Sequence, residues 1–404
     1  MLREARRECS TVAPDCAPIF HGRRRLCQVA MPDKGRKVLL VIPGLTAGGA
    51  ERVLVLLAGG LLARGYRVEV ATIFGRQRDF FPLPEGARRI ALDLGGETSG
   101  LADKLAGNLR RIAGLRRAMR AVAPDVVISF LSETNVLALL AAIGLHIPVI
   151  VTEHTDCHWY PPGRAWKILR RLSYGLAARL VSVSAGVDEG FAWLPPARRA
   201  VIHNPVRTEE SEAAASPPLV FPWPHAILAM GRLEAEKGFD LLVDAFGRLA
   251  ADFPAWGLAI LGDGSLHAEL SDQIAALGLG DRIRLPGVTA SPAATLRQGD
   301  LFVLSSRHEG FGLALVEAMA VGLPVIATPR CGNVVEPGCS GWIVPEGNPQ
   351  KLARAIREAI DSPEKLAQMR AEARKRAEEF SIERLGGELE KLEKDEDKKM
   401  MTEK

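Results

Sequence analysis

Short apolar runs alternate with amphipathic stretches along most of the chain. In the first half the runs are "KVLLVIPG", "YRVEVATIF", "DVVISF", "PVIVTEH" and "ARLVSVS". Each is six to nine residues rich in branched apolar side chains, and each is joined to the next by a segment with helical spacing. "GGAERVLVLLAGGLLARG" is the first of these helices. Strands that are apolar on both faces and alternate with helices imply a parallel sheet covered on both sides. The pattern stops over residues 208–223, a stretch rich in Pro, Ser and Glu that reads as a linker. It then restarts with strands "HAILAMG", "WGLAILGDG", "RIRLPG", "LFVLSS" and "PVIAT", with helices between them and two more, "NPQKLARAIREAI" and "PEKLAQMRAEARKRAEEF", after them. The fold class expected is α/β: two doubly wound Rossmann-like domains, residues 31–207 and 224–380, facing each other across a cleft.

Length agrees with two domains, because 404 residues exceed what one hydrophobic core organises. The longest apolar run, Val136 to Val151, is interrupted by His146 and Pro148 and falls short of the ~20 residues a membrane span needs. Residues 1–30 are basic and lack an apolar signal core, so they read as a disordered or non-native extension. Residues 381–404 read as a last helical segment and a charged tail. Asp395 and Asp397 in that tail match a DxD metal motif, but a fraying charged terminus explains them better. The six cysteines, Cys9, Cys16, Cys27, Cys157, Cys331 and Cys339, show no metal-ligand spacing and suit reduced thiols. No metal site and no cofactor are expected.

Charge divides the chain. Residues 1–208 carry 30 Lys and Arg against 17 Asp and Glu, and the remainder is net acidic, giving +4 overall. A basic first half suits a polyanionic surface such as anionic lipid or nucleic acid.

Ligands of doubly wound sheets bind beyond the carboxyl ends of the strands, so the loops there carry the candidate chemistry. Gly48 and Gly49 lie between the first strand and its helix, where small residues and a helix N-terminus favour an anion. This is neither the dinucleotide fingerprint nor a Walker loop. His154 ends a buried strand. Arg232 and Lys237 follow the first strand of the second half, two cations suited to a diphosphate, or else a solvated basic turn. Gly262 and Gly264 flank Asp263 at the next strand end. In "RHEGFGLALVEAMAVGLPVIAT", Glu309 stands before a helix and Glu317 within it. Eight residues at helical rise separate them by roughly 12 Å, about the span from sugar to ribose in a nucleotide sugar. Gly310, Phe311, Gly312 and Leu313 offer backbone amides between them.

These motifs resemble the family-4 retaining glycosyltransferases of GT-B fold, over nearly all of residues 37–375. Glu309 with Glu317 is the most specific element. Arg232 with Lys237–Gly238, "GDG" at 262–264 and "HNPV" at 203–206 also fit. "GGAERV" and "SSRHEGF" are similar to bacterial transferases that add N-acetylgalactosamine-type sugars to polyprenyl-diphosphate-linked glycans. The resemblance implies that Arg232 and Lys237 stabilise the departing nucleoside diphosphate, that Glu309 holds the transferred sugar and that Glu317 binds the ribose. The 310–313 loop and Gly48–Gly49 would meet the diphosphate, and His154 would assist transfer on the same face. One segment departs from the pattern: "PRCGN" is short, and Asn333 stands where the family carries a glutamate, which bears on donor identity.

The implied activity is metal-independent transfer of a sugar, with retention, from a nucleotide donor (UDP-hexose or UDP-N-acetylhexosamine) to a lipid-linked saccharide or polysaccharide. The acceptor side falls in the first half. Its clusters Arg110, Arg111, Arg116 and Arg117, and Trp166, Lys167, Arg170 and Arg171, read as membrane-facing. An ordinary amphipathic helix packed on the sheet is the competing reading. No nucleic-acid module appears. The expected location is cytoplasmic, at the inner face of the plasma membrane. A nucleotide-sugar epimerase of the same fold and a catalytically silent scaffold are the alternatives.

Overall fold

The computed structural model describes residues 35–96, 100–155, 163–206, 217–329, 331 and 334–381. The expectations for residues 1–30, for most of the linker, for the tail with Asp395 and Asp397, for Asn333 and for Cys9, Cys16, Cys27 and Cys157 lie outside them.

The described residues form two sheets, and every strand pair in both is parallel. The first comprises β1 (Lys37–Ile42), β2 (Arg67–Thr72), β3 (Arg88–Ala91), β4 (Val126–Phe130), β5 (Val149–Glu153), β6 (Arg179–Ser182) and β7 (Arg199–Val201), in the order β3-β2-β1-β4-β5-β6-β7. Its main helices are α1 (Gly49–Ala63), α2 (Leu101–Val122), α3 (Ser132–Ala142), α4 (Arg164–Ser173) and the short α5 (Ala185–Glu189). The second comprises β8 (His225–Met230), β9 (Trp256–Leu261), β10 (Ile283–Gly287), β11 (Leu301–Leu304), β12 (Val325–Ala327) and β13 (Gly341–Ile343), in the order β10-β9-β8-β11-β12-β13. Its helices are α6 (Phe239–Gly247), α7 (His267–Ala276), α8 (Pro292–Leu296), α9 (Leu313–Ala320), α10 (Pro349–Ile360) and α11 (Pro363–Glu378).

In each sheet the strand order reverses beside the first strand: Val38 pairs with Val68 on one side and Val126 on the other, and Ile227 pairs with Leu258 and Leu301. These are topological switch points, where doubly wound sheets open a crevice. The apolar runs read from sequence form the central strands, and β4, β5, β9 and β11 are buried along their whole length. Three further strands carry no such run. β3, "RRIA", is an edge strand exposed or half-buried throughout, while β7 and β13 have three residues each.

One apolar cluster runs across both halves. Phe311 is buried between His203, stacked at 5.3 Å, and Phe380 at 5.5 Å. The amide of Val206 donates to the Phe380 carbonyl (2.9 Å), so the segment after α11 returns to the first half. Packing of this kind fixes how the two switch points face each other.

Candidate active site

The loops after β8 and β11 are stitched together. Arg307 grips Asp240 with both guanidinium nitrogens (2.7 and 2.6 Å), and Ser305 donates to the Lys237 carbonyl (3.0 Å). Gly238 is left-handed (φ +61°), and an ideal Cβ on it would stand 2.4 Å from the Ser305 carbonyl oxygen, so only glycine fits there. This pinning delivers Lys237 to Glu309: Nζ and Oε1 are 2.5 Å apart, and Ser306 adds a bond to the same oxygen at 3.1 Å. The two side chains are 18% and 11% exposed, so the pair is largely shielded yet open to the cleft. Arg232 lies further out, paired with Glu236 at 2.9 Å.

Lys237, Glu309, Arg232 and Gly310 line a cavity of about 340 Å³, together with His154 and the Gly48–Glu51 turn of the opposite domain. A second cavity, about 970 Å³, opens beside it from the first domain, lined by Phe74, Gln77, Asp93, Arg111 and Glu133 among others. Leu131, Thr155, Arg232 and Glu236 belong to both. Leu131 has φ +73°, uncommon for a branched residue, at the turn between β4 and α3.

Gly310 lies where the two domains approach closely. Ser184 Oγ donates to its carbonyl (2.6 Å), and an ideal Cβ on it would stand 2.1 Å from the His154 carbonyl oxygen. His154 stacks on Phe130, with its Nε2 3.0 Å from Thr152 Oγ1. That hydroxyl already donates to the Ser129 carbonyl, so Nε2 carries the proton in this network. Desolvation lowers the His154 pKa to about 4, so the ring is neutral near pH 7. Its Nδ1 is then a buried acceptor without a hydrogen-bond partner among the described residues, and the ring holds no charge there. Beneath it, Glu153 is buried and accepts from Ser132, Asn135 and Tyr174. Burial pushes its carboxyl above the usual range.

The structure places the other residues singled out from sequence as follows. Gly48 caps α1 in extended conformation, and Gly49 begins that helix. Gly312 is left-handed (φ +76°) and opens α9, with Leu313 its first residue. Phe311 directs its ring into the core between domains, so it packs rather than touching a ligand in the cleft. Gly262 and Gly264 stand behind the Arg232 loop rather than lining either cavity. A Cβ on them would meet the Gly231 oxygen at 1.9 Å and the Leu233 oxygen at 2.5 Å, so they let that loop sit close. Glu317 is buried on α9 and pairs with Arg52 of α1 at 3.0 Å.

Among the membrane-facing candidates, three arginines turn elsewhere. Arg170 is buried at 6% exposure and stacks on Phe191 at 5.1 Å, because it shares the inward face of α4 with Trp166 and Ser173. The Arg116 guanidinium donates to the carbonyls of Ala141 and Ile143 (2.8 and 2.6 Å), capping the end of α3. Arg111 lines the larger cavity. Arg110 and Arg117 are exposed on α2, and Lys167 and Arg171 are exposed on α4 with the exposed Ile168 and Leu172. No helix among the described residues is long and apolar enough to cross a membrane.

Sequence reading missed Glu51, Arg52, Ser184, Glu236 and Ser306. Glu51 and Arg52 come one residue after the glycine pair, and their place in the first turn of the helix was the available signal. Glu51 is buried at the smaller cavity with Thr46 donating to it (2.9 Å), and desolvation raises its pKa.

Two parallel, doubly wound domains with opposed switch points, and a cation-lined cleft between them, define the GT-B class of glycosyltransferase. The comparisons with known proteins agree with it. Residues 47–210 match the family described as Glycosyltransferase Family 4, and residues 220–376 match Glycosyl transferases group 1. The chain belongs to this glycosyltransferase family. It is 26% identical over 360 residues to a Campylobacter jejuni protein named as an α-1,4-N-acetyl-D-galactosaminyltransferase acting on a diphospho-undecaprenol-linked saccharide, covering 88% of this chain and 98% of that one. It is 25% identical to an uncharacterised glycosyltransferase of Haemophilus influenzae, covering 84% and 94%. Among solved structures, sucrose-phosphate synthase from Thermosynechococcus elongatus superposes with TM-score 0.76 (19% identity, 89% and 98% covered). Anabaena HepE in complex with UDP superposes with TM-score 0.69 (20% identity, 88% and 99% covered).

Proposed function

We propose that the protein moves a sugar, with retention and without a metal, from a UDP-linked hexose or N-acetylhexosamine to a lipid-linked saccharide or polysaccharide at the cytoplasmic membrane face. The observation that carries this reading is the Lys237–Glu309 pair at the cleft wall, with Arg232 beside it. A departing diphosphate gains negative charge, and preorganised cations in a shielded site stabilise it most. Lys237, Arg232 and the amides at the start of α9 supply that charge from the chain itself. Glu309 accepts hydroxyls of the transferred sugar, and Glu317 accepts those of the ribose.

Retention is supported by the shared wall. Arg232 and Thr155 line both cavities, so an acceptor in the larger cavity approaches from the side on which the diphosphate leaves. His154, neutral, hydrogen-bonds the sugar on that face. The larger cavity has room for a saccharide end. The exposed Lys167, Ile168, Arg171 and Leu172 of α4 give that domain a mixed cationic and apolar face for an anionic bilayer. The galactosaminyltransferase relative, whose named acceptor is carried on a lipid diphosphate, favours the same acceptor class.

The test is release of nucleoside diphosphate from a panel of nucleotide sugars, with membrane extract as acceptor source, with and without chelator. Acceptor-dependent release from a uridine donor, unchanged by chelator, is expected. No release from any donor sinks the assignment, and loss under chelator sinks the metal-free mechanism. The anomeric configuration of the product, read by NMR, decides retention.

A further inference from the structure

The first turn of α1 reaches across the cleft. Gly49 and Leu313, at the N-terminal ends of α1 and α9, come together: an ideal Cβ on Gly49 would lie 3.9 Å from a Leu313 methyl. One turn on, Arg52 Nε meets Glu317 Oε1 at 3.0 Å, with the two side chains 20% and 7% exposed. Residue 51, its neighbour, turns instead into the smaller cavity near Arg232 and Lys237. Residues 49–52 of one domain therefore run alongside residues 313–317 of the other, with an apolar approach at one end and the Arg52–Glu317 ion pair at the other.

We infer that Arg52 is a positioning residue of the nucleotide site, holding Glu317 ionised and oriented for the ribose hydroxyls, so that the site is complete only when the two domains are closed. This rests on the reading of Glu317 as the ribose ligand.

Glu317 lies on a helix whose Leu315, Val316 and Met319 are fully buried. A carboxyl in such surroundings favours its neutral form unless an opposite charge stands beside it. Only the ionised form offers about four acceptor positions. The Arg52 Nε–H approaches one of the two carboxylate oxygens, Oε1. A guanidinium fixes carboxylate orientation better than an ammonium does, because its donors are rigid and planar. Because Arg52 belongs to the opposite domain, opening the cleft removes it from Glu317. Linkage then runs both ways: closure strengthens nucleotide binding, and nucleotide binding favours closure by the same factor.

The experiment is calorimetric titration of the full chain with UDP, ADP and GDP, followed by the 2′-deoxy form of whichever binds tightest. Wild type, Arg52→Ala, Arg52→Lys and Glu317→Gln are compared, with thermal midpoints recorded for each. Wild type is expected to prefer the ribonucleotide by at least about tenfold, the worth of a hydrogen bond to a charged group. Glu317→Gln and Arg52→Ala should both lose most of that preference, and Arg52→Lys should recover part of it. A purely structural Arg52 would weaken ribo and deoxy forms alike, or neither, and would overturn the inference. Absence of a ribose preference in wild type, or its persistence in Glu317→Gln, overturns the ribose reading of Glu317 instead. Failure of all three nucleotides to bind overturns the nucleotide-sugar reading itself.

Discussion

Replacing Lys237 with Ala separates catalysis from packing at the centre of the site. The change leaves the Glu309 carboxylate, 11% exposed, with the Ser306 hydroxyl at 3.1 Å. Breaking a fully buried pair costs about 3–5 kcal/mol, but cleft water reaches this one, and about 1–2 kcal/mol is the realistic loss of stability. In a chain of this size that lowers the melting midpoint by only roughly 1–2 °C. The catalytic loss should be larger. Removing one preorganised charge-stabilising group from a shielded site costs about 3–4 kcal/mol in the transition state, or about 10²–10³ in kcat. Lys237→Arg keeps the charge in a different shape and should recover part of the rate. The assay is coupled nucleoside diphosphate release under saturating donor, with calorimetric melting of the same preparations. A kcat within about threefold of wild type, alongside the expected fall in midpoint, would show that Lys237 only packs against Glu309 and would refute the leaving-group role.

Arg232 is 65% exposed and shared with Glu236, so Arg232→Ala should cost less, about 10–10²-fold in kcat, with the melting midpoint unmoved; unchanged turnover removes it from the mechanism. His154 gives a pH prediction. Its folded pKa of about 4 lies below the unfolded value, so the unfolded chain binds the extra proton as pH falls from about 6.5 towards 4, and stability falls across that window. His154→Leu should flatten the acid side of the stability curve by about 3 kcal/mol; an unchanged curve contradicts the burial argument. Gly310→Ala places a methyl where the His154 carbonyl stands and should lower turnover at least tenfold by prising the domains apart; wild-type kinetics would contradict the close approach. The pair Lys167→Glu with Arg171→Glu should abolish flotation with anionic liposomes at low salt, and unchanged flotation would move the membrane face elsewhere.

The architecture was legible where burial is two-sided. β4, β5, β9 and β11 are apolar along their length because helices cover both faces, and a sequence declares such strands. β3 is not declared: at the sheet edge its two arginines face outward or bond to neighbours, Arg89 to Thr72, so no apolar run forms. The same limit governs the site. Sequence spacing set Glu309 apart from Glu317, although α9 begins only at Leu313 and the eight residues are not one continuous helical rise; nothing local predicts that Lys237, 72 residues away, closes on Glu309, or that Arg52 closes on Glu317. These contacts depend on two domains meeting. Arg170 was misplaced for a smaller reason. A basic amphipathic helix reads as cationic on its outer face, yet Arg170 lies four residues from Trp166 and shares its inward stripe, where Phe191 receives it.

The central claim is that one cleft reads a nucleotide sugar from end to end, and a crystal structure of the chain with UDP tests it most directly. The diphosphate is expected against Arg232 and Lys237, with the 310–313 amides alongside it and both ribose hydroxyls on Glu317. A nucleotide bound with its ribose away from Glu317, or its phosphates away from Lys237, would contradict it.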